Sequence, residues 1–70
     1  VNGDELLRVL RRLAREQGVS LEVSAGRGDH VKVRFGTRRT VLPGRKQEIR
    51  TGTLGAIARQ LDLPPGDLKG

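Results

Sequence analysis

The feature that most limits what this chain folds into is a double change in the spacing of its apolar residues. Leu6, Leu10, Leu13 and Ala14, widened by Leu7, recur as one face of a helix. From Val19 the period drops to two, and from Leu54 it returns to steps of three and four. A period near 3.6 buries a stripe and a period of 2 buries alternate residues, so the chain divides into helix, strands and helix. Seventy residues leave room for one core, since a chain this short buries only about 60% of the surface it exposes unfolded. Residues 1–70 therefore read as a single domain.

Local signals set the boundaries. Asn2 followed by Glu5 forms a capping box, and Gly18 ends the first helix in a left-handed turn, giving a helix over about residues 3–17 with Arg8, Arg12 and Arg15 on its outer side. A first half-buried strand starts at Val19 and continues through Leu21 and Val23. Ser24 to Asp29 reads as a turn. A second strand points Val31, Val33 and Phe35 inward, which leaves His30, Lys32 and Arg34 together on its other face. Gly36-Thr37 closes a hairpin into a third strand over residues 39–42, stopped by Pro43 and Gly44. After a basic connector, residues 45–50, Thr51-Gly52-Thr53-Leu54 reads as a capped start for a second helix carrying Leu54, Ile57, Ala58 and Leu61. Leu63-Pro64-Pro65-Gly66 breaks it, and Asp67-Leu68 forms one further turn whose leucine packs back. The expected fold is a two-layer α+β domain, α-β-β-β-α, with a three-stranded antiparallel sheet, both helices on one face and the other face wet.

The net charge of +6 is unevenly placed. Residues 1–26 and residues 51–70 each sum to zero, and residues 27–50 hold eight cations against Asp29 and Glu48, which is the whole excess. A polyanion is the natural partner of such a segment, because neutralising phosphates releases their counterions. With one aromatic residue, Phe35, and that one directed to the core, recognition by base stacking is excluded. Phosphate contacts and shape remain.

Most enzyme chemistries are also excluded. One histidine, no cysteine and no carboxylates at ligand spacing offer no metal site, and no cofactor is expected. Ser20 and Ser24 have no adjacent base. Gly26-Arg27-Gly28 is too short for a dinucleotide fingerprint, and Gly44-Arg45-Lys46 lacks the spacing of a phosphate loop. No apolar run approaches the roughly 18 residues of a membrane span, so no membrane partner is expected and the chain reads as soluble and cytoplasmic.

A lone histidine is ordinarily an incidental surface residue, but His30 follows a glycine-rich turn and precedes two cations. RNA supplies its own nucleophile, the 2′-hydroxyl, so a protein needs only to move protons and stabilise charge at the phosphate. Histidine, with an ordinary pKa near ~6.5, suits that task at neutral pH, and such transfer is typically worth about 10² to 10⁴-fold in rate. The candidate catalytic residue is His30. The candidate RNA-binding residues are Arg27, Lys32, Arg34, Lys46 and Arg50, together with Gly28, which lets a nucleic-acid backbone approach closely. Two other readings stand beside this one. The first is a non-catalytic RNA-binding module in which the basic segment and the start of the second helix hold phosphates. The second is an interaction domain whose basic face meets an acidic protein.

The residues also resemble the HicA family of mRNA interferases, the toxin halves of toxin-antitoxin pairs, over nearly the whole chain. Asp-Glu-Leu-Leu-Arg-Val-Leu at residues 4–10 is similar to that family's opening helix. Gly28-Asp29-His30 resembles its Gly-Ser-His signature, and Thr40-Val41-Leu42-Pro43 its third strand with the terminal proline. Gly52-Thr53-Leu54-Gly55-Ala56-Ile57 matches its Gly-Thr-Leu-x-x-Ile helix start, and Leu61-Asp62-Leu63 stands where the family has an apolar-Gly-apolar step. Three positions depart: Asp29 replaces the serine, Val33 an aromatic, and Gly44-Arg45 lacks a histidine often found after the proline. The resemblance implies a dsRBD-like fold, metal-independent endoribonuclease activity on mRNA with His30 catalytic, and a HicB-like antitoxin as protein partner.

Overall fold

The computed structural model describes residues 1–68; the last two residues of the 1–70 domain lie outside the described residues. Helix α1 spans Gly3–Gln17, strands β1, β2 and β3 span Leu21–Ala25, Val31–Phe35 and Arg38–Leu42, and helix α2 spans Thr51–Leu61, followed by a 3-10 turn at Pro65–Leu68. The strands pair antiparallel in the order β1-β2-β3. The α+β order α-β-β-β-α expected from the spacing is the fold, of dsRBD-like type.

Both ends of α1 are closed locally. The Glu5 amide donates to Asn2 Oδ1 at 2.9 Å and the Asn2 amide to Glu5 Oε1 at 3.0 Å, satisfying two of the donors that a helix start leaves open. Gly18 takes φ 69° and its amide turns back to the Ala14 and Arg15 carbonyls. The stripe Leu6, Leu10, Leu13 and Ala14 is buried against Val31, Val33 and Phe35 of the sheet and Leu54, Ile57, Ala58 and Leu61 of α2. Leu68 is fully buried in the same core, as its expected packing back requires. Burying a leucine of this kind contributes about 1.5–3 kcal/mol.

Three sequence expectations shift. The first strand begins at Leu21, two residues later than Val19, and runs on through Ala25, into what reads as a turn. The reason lies in the helix end: the Val19 amide donates to Ala14 O at 3.0 Å, so it belongs to the cap and not to the sheet. The third strand begins at Arg38, one residue early, because Gly36 at φ 62° turns the chain within two residues and pairs Phe35 directly with Arg38. Helix α2 lacks the expected side-chain cap. Arg50 occupies the cap position, with no side-chain hydrogen bond, and Thr51 already lies inside the helix.

Two contacts position the surface described next. Thr40, the one buried polar residue of the core among the described residues, donates its hydroxyl to Gln60 Oε1 at 2.6 Å. That bond pins the alternation of β3, since a slip of one residue would send Thr40 outward and Val41 inward. Gly3 lies against the connector so closely that a Cβ there would meet Gly44 O at 2.3 Å, and the Asp4 amide donates to Arg45 O at 2.9 Å.

Candidate nucleic-acid interface

The loop joining β1 to β2 is built by its own backbone. The Gly26 amide donates to His30 O at 2.8 Å and the His30 amide to Arg27 O at 2.9 Å, with Gly28 at φ 56° making the reversal. The His30 ring then bends over the same carbonyl, its Nδ1 lying 3.2 Å from Arg27 O. A carbonyl only accepts, so Nδ1 carries the proton in this contact, and in the neutral ring the lone pair sits on Nε2. His30 is exposed and lines a hollow of about 550 Å³ between this loop and the connector, together with Gly28, Asp29, Gly44, Lys46 and Gln47 among others.

His30, expected on the wet face or at its rim with Lys32 and Arg34, lines a different hollow from theirs. His30 ends the loop and is not part of β2. Its basic neighbours are Arg45 and Lys46, from a segment 15 residues downstream, brought in by the Gly3–Gly44 contact. Lys32 and Arg34 lie instead with Glu22, Ser24, Arg39 and Val41 around a second hollow of about 750 Å³ on the uncovered side of the sheet. Ser24 borders both hollows, so the two are adjacent.

Ion pairs sort the cations. Arg34 reaches across the sheet to Glu22 at 2.7 Å, its partner in register. Asp4 holds Lys46 at 3.4 Å and Arg45 at 3.7 Å, and Arg38 lies 3.8 Å from Asp62. All these pairs face water, where such contacts are worth little and rearrange readily. Among the described residues Arg27, Lys32, Arg39 and Arg50 have no carboxylate partner. Arg50 also heads α2, whose first turn has neither an acidic residue nor a side-chain cap, so its open amides and the positive end of its dipole face solvent.

Of the sequence candidates, His30, Gly28 and Lys46 come together at one hollow, Lys32 and Arg34 at the other, and Arg27 and Arg50 stand exposed to the side. Arg39 is the residue the candidate set lacks. It pairs in register with Arg34, and the alternation of β3 past Gly36 was the signal for it. Among the described residues no cluster of three or more His, Cys, Asp or Glu side chains is placed to hold a metal ion, and no helix is long and apolar enough to cross a membrane. Comparison with family models, curated proteins and solved structures returned no match for this chain.

Proposed function

We propose that this chain is an endoribonuclease of the HicA type, the toxin of a toxin-antitoxin pair, that cleaves mRNA without a metal ion, with His30 as its proton-transfer group and a HicB-like antitoxin as its inhibitor in the cytoplasm. The observation that carries the reading is the orientation of His30. Its Nδ1 donates to Arg27 O, which leaves Nε2 as the basic nitrogen of a residue that lines a hollow together with Lys46.

The chemistry needs little more. With a ribose seated at the hollow, Nε2 takes the proton of the 2′-hydroxyl as that oxygen bonds to phosphorus. The bond from phosphorus to the 5′-oxygen then breaks, and the imidazolium or solvent returns a proton to the leaving oxygen. A 2′,3′-cyclic phosphate remains on one fragment. Arg45 and Lys46 stabilise the charge that gathers on the phosphorane, the kind of electrostatic assistance that matters most when it is aimed at the reacting atoms. Lys32, Arg39 and, once released from Glu22, Arg34 hold the neighbouring strand through its phosphates.

The test is His30→Ala. The variant loses the base but none of the cations, so it should bind RNA as the parent does and cut it at least about 10²-fold more slowly, and its expression should no longer arrest growth. Cleavage by the parent should persist in excess EDTA. Equal cleavage by variant and parent would overturn the assignment of His30. Binding by both with cleavage by neither would instead favour a non-catalytic RNA-binding module, a reading that the unpaired Lys32, Arg39 and Arg50 support on their own.

A further inference from the structure

The outer edge of β1 is open, and the ladder bonds show which of its backbone groups are free. At one end the Gly36 amide donates to Ser20 O at 2.8 Å, and at the other the Gly26 amide donates to His30 O at 2.8 Å. Bonded and non-bonded pairs alternate along an antiparallel ladder, so Glu22 and Ser24 direct their amides and carbonyls to β2. Leu21, Val23 and Ala25 direct theirs away from the sheet, and no other backbone bond takes up these amides among the described residues. Charged inward residues, bulges or a covering element commonly protect such an edge. Here none does: β1 is flanked by β2 alone, and Leu21 and Val23, the apolar residues on its core side, remain only partly buried.

Beside that edge runs a groove whose floor is Ala14, Val19, Leu21 and Val23 and whose wall is Arg11 and Arg15 of α1. No carboxylate lines it. Three of the four acidic residues in this part of the sequence are occupied elsewhere, and the fourth, Glu16, does not line the groove. Asp4 faces Arg45 and Lys46, Glu5 closes the helix cap, and Glu22 bonds Arg34 on the far side of the sheet. The groove is thus lined by cations without a carboxylate, in a part of the chain that is neutral in composition.

We infer that the β1 edge is a docking site for an extended acidic segment of a partner protein, which adds to the sheet as a fourth strand. Its backbone bonds to Leu21, Val23 and Ala25, apolar side chains cover Val19, Leu21 and Val23, and carboxylates meet Arg11 and Arg15. A second copy of this chain is the poorer occupant. Antiparallel pairing of β1 with itself has its two-fold axis normal to the sheet, so both α1 helices fall on the same side and four arginines face one another across the seam. The site shares Val23 and Ala25 with the lining of the His30 hollow and does not rest on the nuclease reading.

The test uses the isotope-labelled protein and two synthetic eight-residue peptides, one alternating valine with glutamate and one alternating valine with lysine. The glutamate peptide should shift the Leu21, Val23 and Ala25 amides and slow their hydrogen exchange, and the lysine peptide should not. Arg11→Glu with Arg15→Glu should weaken the glutamate peptide at least about tenfold through lost charge complementarity. Ala25→Pro, which removes an outward amide without breaking a ladder bond, should weaken it in a folded protein with its arginines intact. The inference is overturned by equal binding of both peptides, by shifts confined to Lys32, Arg34 and Arg39, or by no shift at millimolar peptide. Self-association through the same three amides, or their protection by an RNA oligonucleotide, would also overturn it.

Discussion

The hairpin end of the molecule and the open face of its sheet hold their functional groups in different ways. On the open face, Glu22, Arg34 and Arg39 stand side by side across three strands, and Lys32 lies between Ser24 and the half-exposed Val41. Strand register sets their spacing, and a cross-strand carboxylate restrains Arg34. At the hairpin end a five-residue loop aims one imidazole by hydrogen bonds to its own backbone, and the cations arrive on a separate segment. In the proposed reading the face is the array that supplies affinity. The hairpin in that reading holds the single group that reacts, and its placement depends on loop geometry that one added methyl group disturbs.

The largest effect that tests this division is that of salt. If the array supplies affinity through six to ten phosphate contacts, RNA binding should fall about 10³ to 10⁵-fold between 50 and 200 mM salt, read by fluorescence anisotropy; a flat response would remove the array from the account. Next comes Gly26→Ala, in which the new Cβ would lie 3.0 Å from His30 O and 3.3 Å from His30 Cβ. His30 must move, and because small misplacements cost up to about 10²-fold in rate, cleavage should drop by that order while RNA affinity holds.

Stability separates the regions on a smaller scale. Gly28→Ala, at φ 56°, should lower stability by about 1–2 kcal/mol, measured by urea unfolding, whereas Arg39→Ala on the open face should stay within about 0.5 kcal/mol. Asp62→Gly should act in the opposite direction and raise the melting temperature, since Asp62 holds φ 58° at the end of α2, a conformation that glycine adopts without the Cβ penalty. The smallest effect is that of Glu22→Gln. Releasing Arg34 from an exposed pair worth about 0–1 kcal/mol should tighten RNA binding by a few-fold, and weaker binding would mean that Glu22 positions Arg34 for its phosphate.

The fold was largely legible because it is written in periods. The leucine stripe of α1, the alternation of β2 and the return to helical spacing at Leu54 each name one element, and Asn2, Gly18 and Gly36 punctuate them. Less was legible where a residue serves two neighbours. Val19 has the alternation of a strand residue, but its amide is taken by the helix end. Thr51 and Thr53 are cap-forming residue types that fall one and three positions inside α2. Asp62 fills its left-handed position at the apolar-Gly-apolar step where the resemblance places a glycine. For the candidate site, the spatial grouping of the residues was not legible. Lys46 meets His30 only through the packing of the connector on α1, and Glu22 cancels part of Arg34 only through the register of β1 on β2.

The crossing of Gly3 over Gly44 bears on how the molecule assembles. It joins positions about 40 residues apart, and the Asn2 pairing with Glu48 lies beside it. The entropy of closing a loop of that length must be met before any bond in it forms, whereas the β1–β2 hairpin closes over five residues. The connector's contact with α1 therefore carries a larger closure entropy than the hairpin that holds the imidazole.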